Sequence, residues 1–271
     1  SDVCSSDLHI EVDECGAPEN YTGSKIITVP HSNGKIKPEQ LKQHLHTIGF
    51  EHHSQPGMVS ISQTTELGTI YTRQELTALC KFAHEHKLLV HMDGARISNA
   101  VAALGCSLKE ASFDCGIDVL SFGGTKNGMM YGEAVVFRDK NLAPHFKYLR
   151  KQAMQLGSKM RFIGAQFQAF FQNDLWLQNA RHSNSMAQLL KKETENLPGI
   201  SITQPVEANA IFVKIPKNCI ETLRQHYFFY DWDPKEGEVR WMCSFDTTEK
   251  DVEEFVKVLK KILAQDNKAK N

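Results

Sequence analysis

The sequence predicts an α/β protein, with a larger domain built on a mostly parallel sheet and a smaller α+β domain after it. Two observations support this prediction. From residue 58 onward, short apolar runs alternate with amphipathic stretches, which is the pattern of β-α-β units. From about residue 198, shorter strand and helix patterns replace that alternation, which indicates a second and smaller folding unit.

The helix at 72–87 is the best-defined element of the larger domain. Thr72 stands three residues before Glu75, which is the spacing of a capping box at a helix start. Apolar residues then recur on one helical face, at Leu76, Leu79, Cys80, Phe82 and Ala83. The neighbouring patterns predict strands at 58–62, 88–93, 118–123 and 133–139, and a helix at 97–113 that breaks near Gly105.

A long helical region and the smaller domain follow. Residues 145–196 are predicted to be helical for most of their length, with an interruption at Gly157. The smaller domain is predicted to contain strands at 199–203, 208–215 and 238–245, a short helix at 218–227 and a closing helix at 247–264. We therefore expect the larger domain at 9–150, connecting helices at 151–197 and the smaller domain at 198–271.

The composition restricts the class of partner. With 271 residues, 41% of them hydrophobic and 23% charged, the chain is long enough to bury a sizeable core. A formal net charge of −1 disfavours nucleic acid and anionic lipid as partners, and no apolar run approaches the roughly 18 residues of a membrane span. We expect a cytoplasmic protein that acts on a small molecule.

Cysteine and histidine usage gives no sign of a metal site. The seven cysteines include no C-x-x-C pair, so reduced thiols are the simplest interpretation. The histidine pairs at 44/46, 52/53 and 84/86 do not have the spacing of three or four that brings two rings to one helical face. We interpret them as surface residues.

The first eight residues are set apart from this pattern. The segment DVCSSDL, residues 2–8, matches the in-frame translation of a sequencing adapter. We therefore expect residues 1–8 to be a non-native leader, and the natural chain to begin upstream of His9. Sequencing the source locus tests this expectation, because a native codon run for the same residues would contradict it.

Two residues at the ends of neighbouring predicted strands indicate the chemistry. Asp93 ends the strand in HMDGARISNA, and Lys126 follows the strand in DVLSFGGTKNGMM. The carboxyl ends of strands in an open α/β sheet line the ligand crevice, so both side chains are expected in one site. This pair suits pyridoxal phosphate, because the lysine forms a Schiff base with the aldehyde and the carboxylate keeps the ring nitrogen protonated. The glycines around Lys126 are expected to let the backbone approach the cofactor closely.

Each residue also has a simpler interpretation. Lys126 can be a solvated surface lysine, and Asp93 can cap the helix that follows it. The order G-G-T-K-N-G around Lys126 lacks the G-x-x-x-x-G-K-[ST] order of a nucleotide-binding loop, which disfavours that function. Arg240 is flanked by apolar residues in a predicted strand, so an anionic ligand or a buried carboxylate must lie beside it.

Five ordered motifs resemble one known family. They are HMDGARISNAVAALGC (91–106), SFGGTKNGM (121–129), SKMRF (158–162), NARH (179–182) and RWMCSFDTT (240–248). Together they resemble the low-specificity L-threonine aldolases, in the β-eliminating lyase/threonine aldolase group of fold-type-I pyridoxal-phosphate enzymes. The resemblance runs from His9 to about residue 263, and it implies a fold like that of aspartate aminotransferase.

The resemblance implies a role for each matching residue. Lys126 would be the Schiff-base lysine and Asp93 the partner of the pyridinium nitrogen. Arg96 and Arg240 would hold the substrate carboxylate, because arginine donors form a fork that suits a carboxylate. Further cofactor contacts would come from His9, which stacks on the ring, from the phosphate-contacting Arg161, and from Thr125. Structural ion pairs are the alternative for Arg96 and Arg161.

Two departures from the family pattern affect these expectations. The phosphate-binding glycine/threonine loop of the family would lie upstream of His9, so the chain as given is expected to bind the cofactor less tightly. Thr65, in SQTTELG, stands where some members carry a histidine near the substrate hydroxyl. The base that removes the hydroxyl proton therefore stays unassigned.

The activity that the resemblance implies is retro-aldol cleavage of L-threonine or L-allo-threonine to glycine and acetaldehyde. Two alternatives stay open. The substrate can be another β-hydroxy amino acid such as phenylserine, or the chain can be a truncated fragment that does not catalyse. The resemblance also implies a homodimer or homotetramer with active sites near a subunit interface.

Overall fold

A six-stranded sheet forms the larger half of the molecule. The computed structural model describes the backbone of residues 1–270 and the side chains of residues 1–266. The strands are β1 (Asp2–Ser5), β2 (Ile26–Val29), β3 (Met58–Ser62), β4 (Leu89–Gly94), β5 (Val119–Gly123) and β6 (Glu133–Phe137). Their order across the sheet is β2-β1-β3-β4-β5-β6, with the first five parallel and β6 antiparallel to β5. The predicted mostly parallel sheet is confirmed.

Ten α-helices are present among residues 1–270. They are α1 (His9–Val12), α2 (Ala17–Thr22), α3 (Pro38–Leu45), α4 (Arg73–Glu85), α5 (Ile97–Leu104), α6 (Phe146–Gln152), α7 (Arg161–Phe171), α8 (Leu175–Thr194), α9 (Lys217–Arg224) and α10 (Glu249–Lys270). Helices α4 and α5 are the crossovers that join β3 to β4 and β4 to β5. Helix α5 ends at Gly105, whose left-handed φ of 63° suits glycine, so the predicted break near this residue is confirmed.

The larger core lies between the sheet and helix α4. The helix begins as predicted, since the Thr72 hydroxyl accepts from the Glu75 N–H at 3.2 Å and the Glu75 carboxylate accepts from the Thr72 N–H at 2.6 Å. Its buried face consists of Leu76, Leu79, Cys80 and Ala83. The strand residues that share this core include Val59, Val90 and Leu120, all buried, as expected for a parallel sheet covered on its faces.

A smaller antiparallel sheet follows the helices. Its strands are β7 (Ser201–Ile202), β8 (Ala210–Lys214), β9 (Tyr230–Asp233) and β10 (Glu238–Met242), in the order β7-β8-β10-β9. Helices α8, α9 and α10 contribute buried residues to a second core on this sheet. The prediction of a smaller α+β domain is confirmed, although strand β9 was not predicted from the sequence. The domain limits themselves stay predictions.

Residues 1–8 do not lie outside the larger domain. Strand β1 pairs in parallel with both β2 and β3, and Leu8 is buried. Val3, Cys4 and Ser5 are buried between these two strands, so the segment packs as part of the larger sheet. Its non-native origin stays a prediction that the source DNA tests.

Within residues 1–270, no helix combines the length and the apolar character that crossing a bilayer requires.

Candidate active site

The carboxyl ends of β4 and β5 bring Asp93 and Lys126 to one edge of the sheet. Asp93 is paired in register with Ser121, and β5 ends two residues after Ser121, at Gly123. Lys126 is the middle residue of the one-turn 3-10 helix Thr125–Asn127, which follows β5. The two side chains that the sequence places together therefore lie at adjacent strand ends.

Asp93 is fixed by the turn that leaves its own strand. Its Oδ1 atom accepts a hydrogen bond from the Ala95 N–H at 2.8 Å. The N-cap of helix α5 is Arg96, not Asp93. The interpretation of Asp93 as the helix cap is therefore wrong, and one of its carboxylate oxygens holds the side chain beside the site.

The glycines before Lys126 serve close packing within the protein. A Cβ atom added at Gly123 would lie 2.6 Å from the backbone of Ala95, and one added at Gly124 would lie 2.9 Å from the carbonyl oxygen of Gly132. A real Cβ atom essentially never lies this close to a neighbouring atom, so a larger residue would push the lysine turn away from the Asp93 strand end. The space that we expected a cofactor to use at these two glycines is occupied by the chain itself.

Two arginines from different domains meet beside this edge. Arg96 follows β4 and its Nη2 atom lies 3.3 Å from the Sδ atom of Met242, on strand β10. Arg240, on the same strand, lies over the rings of Tyr230 and Trp232 at 5.4 and 5.5 Å. Stacking covers the flat faces of a guanidinium and leaves its N–H edges available to an anion.

The charges in this region interact. Burial lowers the pKa of Arg96, and the positive charge of Arg240 lowers it further. The pKa of Lys126 is also lowered, first because part of its ammonium is removed from water and then because of Arg96. The carboxylates of Asp93, Glu66 and Glu133 oppose this shift. The edge therefore combines an amine that loses its proton more readily with two cations that favour a bound anion.

Glu66 is a member of this cluster that the sequence analysis missed. The residue is 8% exposed, and burial raises the pKa of its carboxyl, with the Asp93 charge acting in the same direction and His9 opposing it. Glu66 lies in the loop after β3, which is parallel to β4. The rule that strand ends line the site would have identified it, had it been applied to this strand as well.

The remaining predicted residues differ in their relation to the cluster. His9, in α1, contacts Asp13 and Glu14 and is close enough to affect the charge of Glu66. Thr125 is exposed, and its hydroxyl accepts from the Gly132 N–H at 3.1 Å. Arg161 begins α7, where its guanidinium lies 4.8 Å from the Phe162 ring. Among the described side chains, no hydrogen bond or ion pair joins Arg161 to the cluster.

The donor set fits pyridoxal phosphate. A partly desolvated lysine amine suits a bond to an aldehyde, a carboxylate at the neighbouring strand end suits a ring nitrogen, and two guanidinium groups suit the carboxylate of an amino acid. This chemistry, on an α/β sheet with a smaller second domain, indicates the class of protein: a pyridoxal-phosphate-dependent enzyme that acts on amino acids.

Comparisons with known proteins agree with this class. The family model described as beta-eliminating lyase matches residues 1–218, so the chain belongs to that family. The low specificity L-threonine aldolase of Pseudomonas aeruginosa is 42% identical over 262 residues, which cover 96% of this chain and 76% of that protein. The protein of the same name from a second Pseudomonas is 41% identical over 97% of this chain and 76% of its own length. The solved threonine aldolase of Leishmania major has a TM-score of 0.90 and 34% identity, over 97% of this chain and 77% of that one.

Proposed function

We propose that this protein cleaves the Cα–Cβ bond of L-threonine or L-allo-threonine, releasing glycine and acetaldehyde. The observation that carries the proposal is the placement of Asp93 and Lys126 at adjacent strand ends of the larger sheet, with Arg96 beside them and Arg240 of the smaller sheet near Arg96. The similarity to proteins named low specificity L-threonine aldolase gives the reaction its substrate.

The lysine attaches the cofactor and transfers a proton. Pyridoxal phosphate, when bound, supplies an electron-accepting ring that stabilises the negative charge left on the substrate α-carbon. Lys126 would hold the bound cofactor through its Nζ atom. Because its pKa is lowered, the Nζ atom gives up and takes back a proton more readily than an ordinary lysine, which suits it to return a proton to the α-carbon.

The acid and the two arginines orient the reacting groups. Asp93 is proposed to hold a proton on the ring nitrogen, since a carboxylate stabilises the cationic form beside it. Arg96 and Arg240 are proposed to bind the α-carboxylate between the two domains, which fixes the Cα–Cβ bond relative to the ring. His9 is proposed to stack on the ring, and Thr125 and Arg161 to contact the cofactor.

One observation favours substrates larger than threonine. A cavity of about 330 Å³ opens beside Arg96 and Arg240. Its wall combines aromatic side chains, among them Phe228, Tyr230 and Phe255, with aliphatic and polar ones, and it does not include Lys126 or Asp93. Because aromatic walls suit an aromatic substituent, β-aryl substrates such as phenylserine are the second candidate. The ratio of kcat/KM for phenylserine to that for threonine, measured under the same conditions, decides between them.

Borohydride reduction followed by peptide mapping tests the proposed cofactor attachment. Pyridoxal phosphate is added to the purified chain, the complex is reduced, and the modified peptide is identified by mass. We expect modification at Lys126 and release of glycine from threonine by the unreduced sample. Modification only at other lysines would contradict the proposal. A chain that folds but gains no visible absorbance band would favour the alternative that it is a non-catalytic fragment.

The surface outside the active site suggests self-association. Large apolar side chains stand exposed on and around β6, α6 and α7, among them Met130, Tyr131, Leu149, Met154 and Phe162, which are each more than half exposed. Exposed apolar area of this extent is typical of an interface. We propose a homodimer or homotetramer, which light scattering coupled to size exclusion tests.

We also propose that the protein is cytoplasmic, and fractionation of the source cells tests this location.

A further inference from the structure

We propose that helix α8 sets the positions of Lys126 and Arg96 through two separate asparagine pairs, which makes Asn179 and Asn184 positioning residues. This inference rests on the proposed function, because it takes Lys126 as the residue that bonds the cofactor and Arg96 as the residue that binds the substrate carboxylate. Neither asparagine is expected to touch the substrate or the cofactor.

The first pair holds the lysine turn. Asn127, the residue after Lys126, is 3% exposed. Its side-chain amide donates to the carbonyl oxygen of Trp176 at 2.7 Å, and the Nδ2 atom of Asn179 donates to the carbonyl oxygen of Asn127 at 2.9 Å. Both partners lie in the first turns of α8. The backbone that carries Lys126 is therefore bonded directly to this helix.

The surroundings of the turn leave it little freedom to move. Gly128 has a φ of +113°, and an added Cβ atom there would lie 2.7 Å from the Nδ2 atom of Asn179. On the other side of the lysine, the Thr125 hydroxyl accepts from the Gly132 N–H. Lys126 is thus the middle residue of the turn, and the residues on either side of it, Thr125 and Asn127, are both fixed by hydrogen bonds.

The second pair holds the helix that carries Arg96. The Nδ2 atom of Asn99 donates to the Oδ1 atom of Asn184 at 2.9 Å, and the Nδ2 atom of Asn184 donates to the Asn99 carbonyl oxygen at 3.0 Å. Asn99 also donates its backbone N–H to the carbonyl oxygen of Arg96 at 3.0 Å. The pair is reciprocal, and Asn99 lies in the first turn of α5.

These contacts do more than join helices. Apolar packing can join two helices, whereas a buried amide costs stability unless every partner is in place. Hydrogen bonds depend on direction and distance, so the two pairs define where each element sits along α8. Asn179 and Asn184 are five residues apart on one helix, a rise of about 7.5 Å. Helix α8 therefore fixes the spacing between the lysine turn and the start of α5. A displacement of about 1 Å in a site of this kind can cost about a hundredfold in rate.

Two shape-preserving variants separate the positioning of Lys126 from the positioning of Arg96. Asn179→Asp removes the donor to the lysine turn, and Asn184→Asp removes the donor to the Asn99 carbonyl, without a large change in volume. In the full chain with pyridoxal phosphate, we expect Asn179→Asp to slow reducible attachment at Lys126 and to lower kcat about tenfold or more, with a small change in KM. We expect Asn184→Asp to raise KM and the dissociation constant of glycine about tenfold, with attachment at Lys126 close to that of the parent chain.

Controls on the same helix distinguish positioning from general stability. Ser185→Ala removes a hydrogen bond to the His182 carbonyl oxygen on the exposed side of α8 and is expected to leave both readouts unchanged. Asn179→Ser retains a hydrogen-bond donor, so its attachment rate at Lys126 is expected to lie between those of Asn179→Asp and the parent chain. It is used in place of Asn179→Asp if that variant does not fold.

The split between the two readouts decides the inference. If both asparagine variants change attachment and glycine binding alike, in proportion to their loss of thermal stability, the inference is wrong. It is also wrong if folded variants match the parent chain in both readouts. A parent chain without any attachment at Lys126 would overturn the proposed function as well, which separates the two failures.

Discussion

Lys126 lies among charges of both signs, and their balance determines its reactivity. Loss of water and the Arg96 charge lower the pKa of its ammonium, while Asp93, Glu66 and Glu133 oppose the shift. A lysine whose pKa is lowered holds a larger neutral fraction at any pH below its ordinary value of about 10.4. Only the neutral amine attacks an aldehyde, so this environment favours the proposed attachment of the cofactor at Lys126.

Selective labelling measures this effect. We expect Lys126 to react with an amine-directed reagent faster than other lysines between about pH 7 and pH 9. Its labelling rate should reach a plateau at a lower pH than the labelling rate of an ordinary lysine. Lys214 is the matched control, because its hydrogen bond to Glu236 raises the pKa of its ammonium and is expected to delay its labelling. Equal rates at the two lysines across this range would contradict the assigned environment.

Asp93 contributes a charge and a hydrogen bond, and one substitution separates them. Asp93→Asn retains an acceptor for the Ala95 N–H and removes the negative charge. Loss of one partner of a buried charge pair typically costs about 3–5 kcal/mol, so we expect kcat to fall by about two to three orders of magnitude. Thermal unfolding of the cofactor-free variant should stay close to that of the parent chain. Full activity in Asp93→Asn would rule out a charge role for this residue.

Among helices and strands, the sequence allowed the segments with a complete local signal to be predicted. Helix α4 has both members of a capping box and a regular apolar face, and β3 was predicted at its observed limits. Strand β9 (YDWD) was missed because an edge strand of four residues, two of them acidic, lacks the alternation that identifies a strand. The strand-end rule located Asp93 and Lys126, whereas the asparagine contacts of α8 depend on tertiary packing that no local pattern records.

A buried ion cluster joins helix α4 to the middle of the larger sheet. The Asp118 side chain is 1% exposed and accepts hydrogen bonds from His84 and from the Val90 N–H, each at 2.8 Å, and from Arg138. It therefore connects α4 with β4 and with the residue that follows β6.

Removing this buried carboxylate should be costly. We expect Asp118→Ala to lower the free energy of unfolding by about 3 kcal/mol or more, because it leaves the buried Val90 N–H, the Arg138 guanidinium and the His84 ring without their acceptor. Chemical denaturation measures the difference. Asp114→Ala is the control: that carboxylate pairs with Lys109 at 39% exposure, and exposed pairs contribute about 1 kcal/mol at most. Equal losses in the two variants would contradict the structural role assigned to Asp118.

Taken as a whole, the molecule divides the two arginines proposed to bind the substrate between two domains. Arg96 belongs to the larger domain and Arg240 to the smaller, and the Arg240 charge lowers the pKa of Arg96. Two like charges held close together destabilise the empty site, and a carboxylate between them relieves the repulsion. Binding of an amino acid should therefore stabilise the contact between the domains as well as occupy the site.

Substituting Arg240 tests this coupling, because the substitution should affect ligand binding far more than the stability of the ligand-free protein. We expect Arg240→Gln to change the melting temperature of the ligand-free protein little, because the repulsion that is removed offsets the lost stacking on Tyr230 and Trp232. The same variant should lose the rise in melting temperature that glycine gives the parent holoprotein, and its KM for threonine should rise about ten- to a hundredfold.

Arg224→Gln is the control, because Arg224 already pairs with Glu221 and Asp231 within the smaller domain. That variant should lose some stability and retain the glycine response. If Arg240→Gln responds to glycine as the parent protein does, the carboxylate lies elsewhere and the two-domain clamp is wrong.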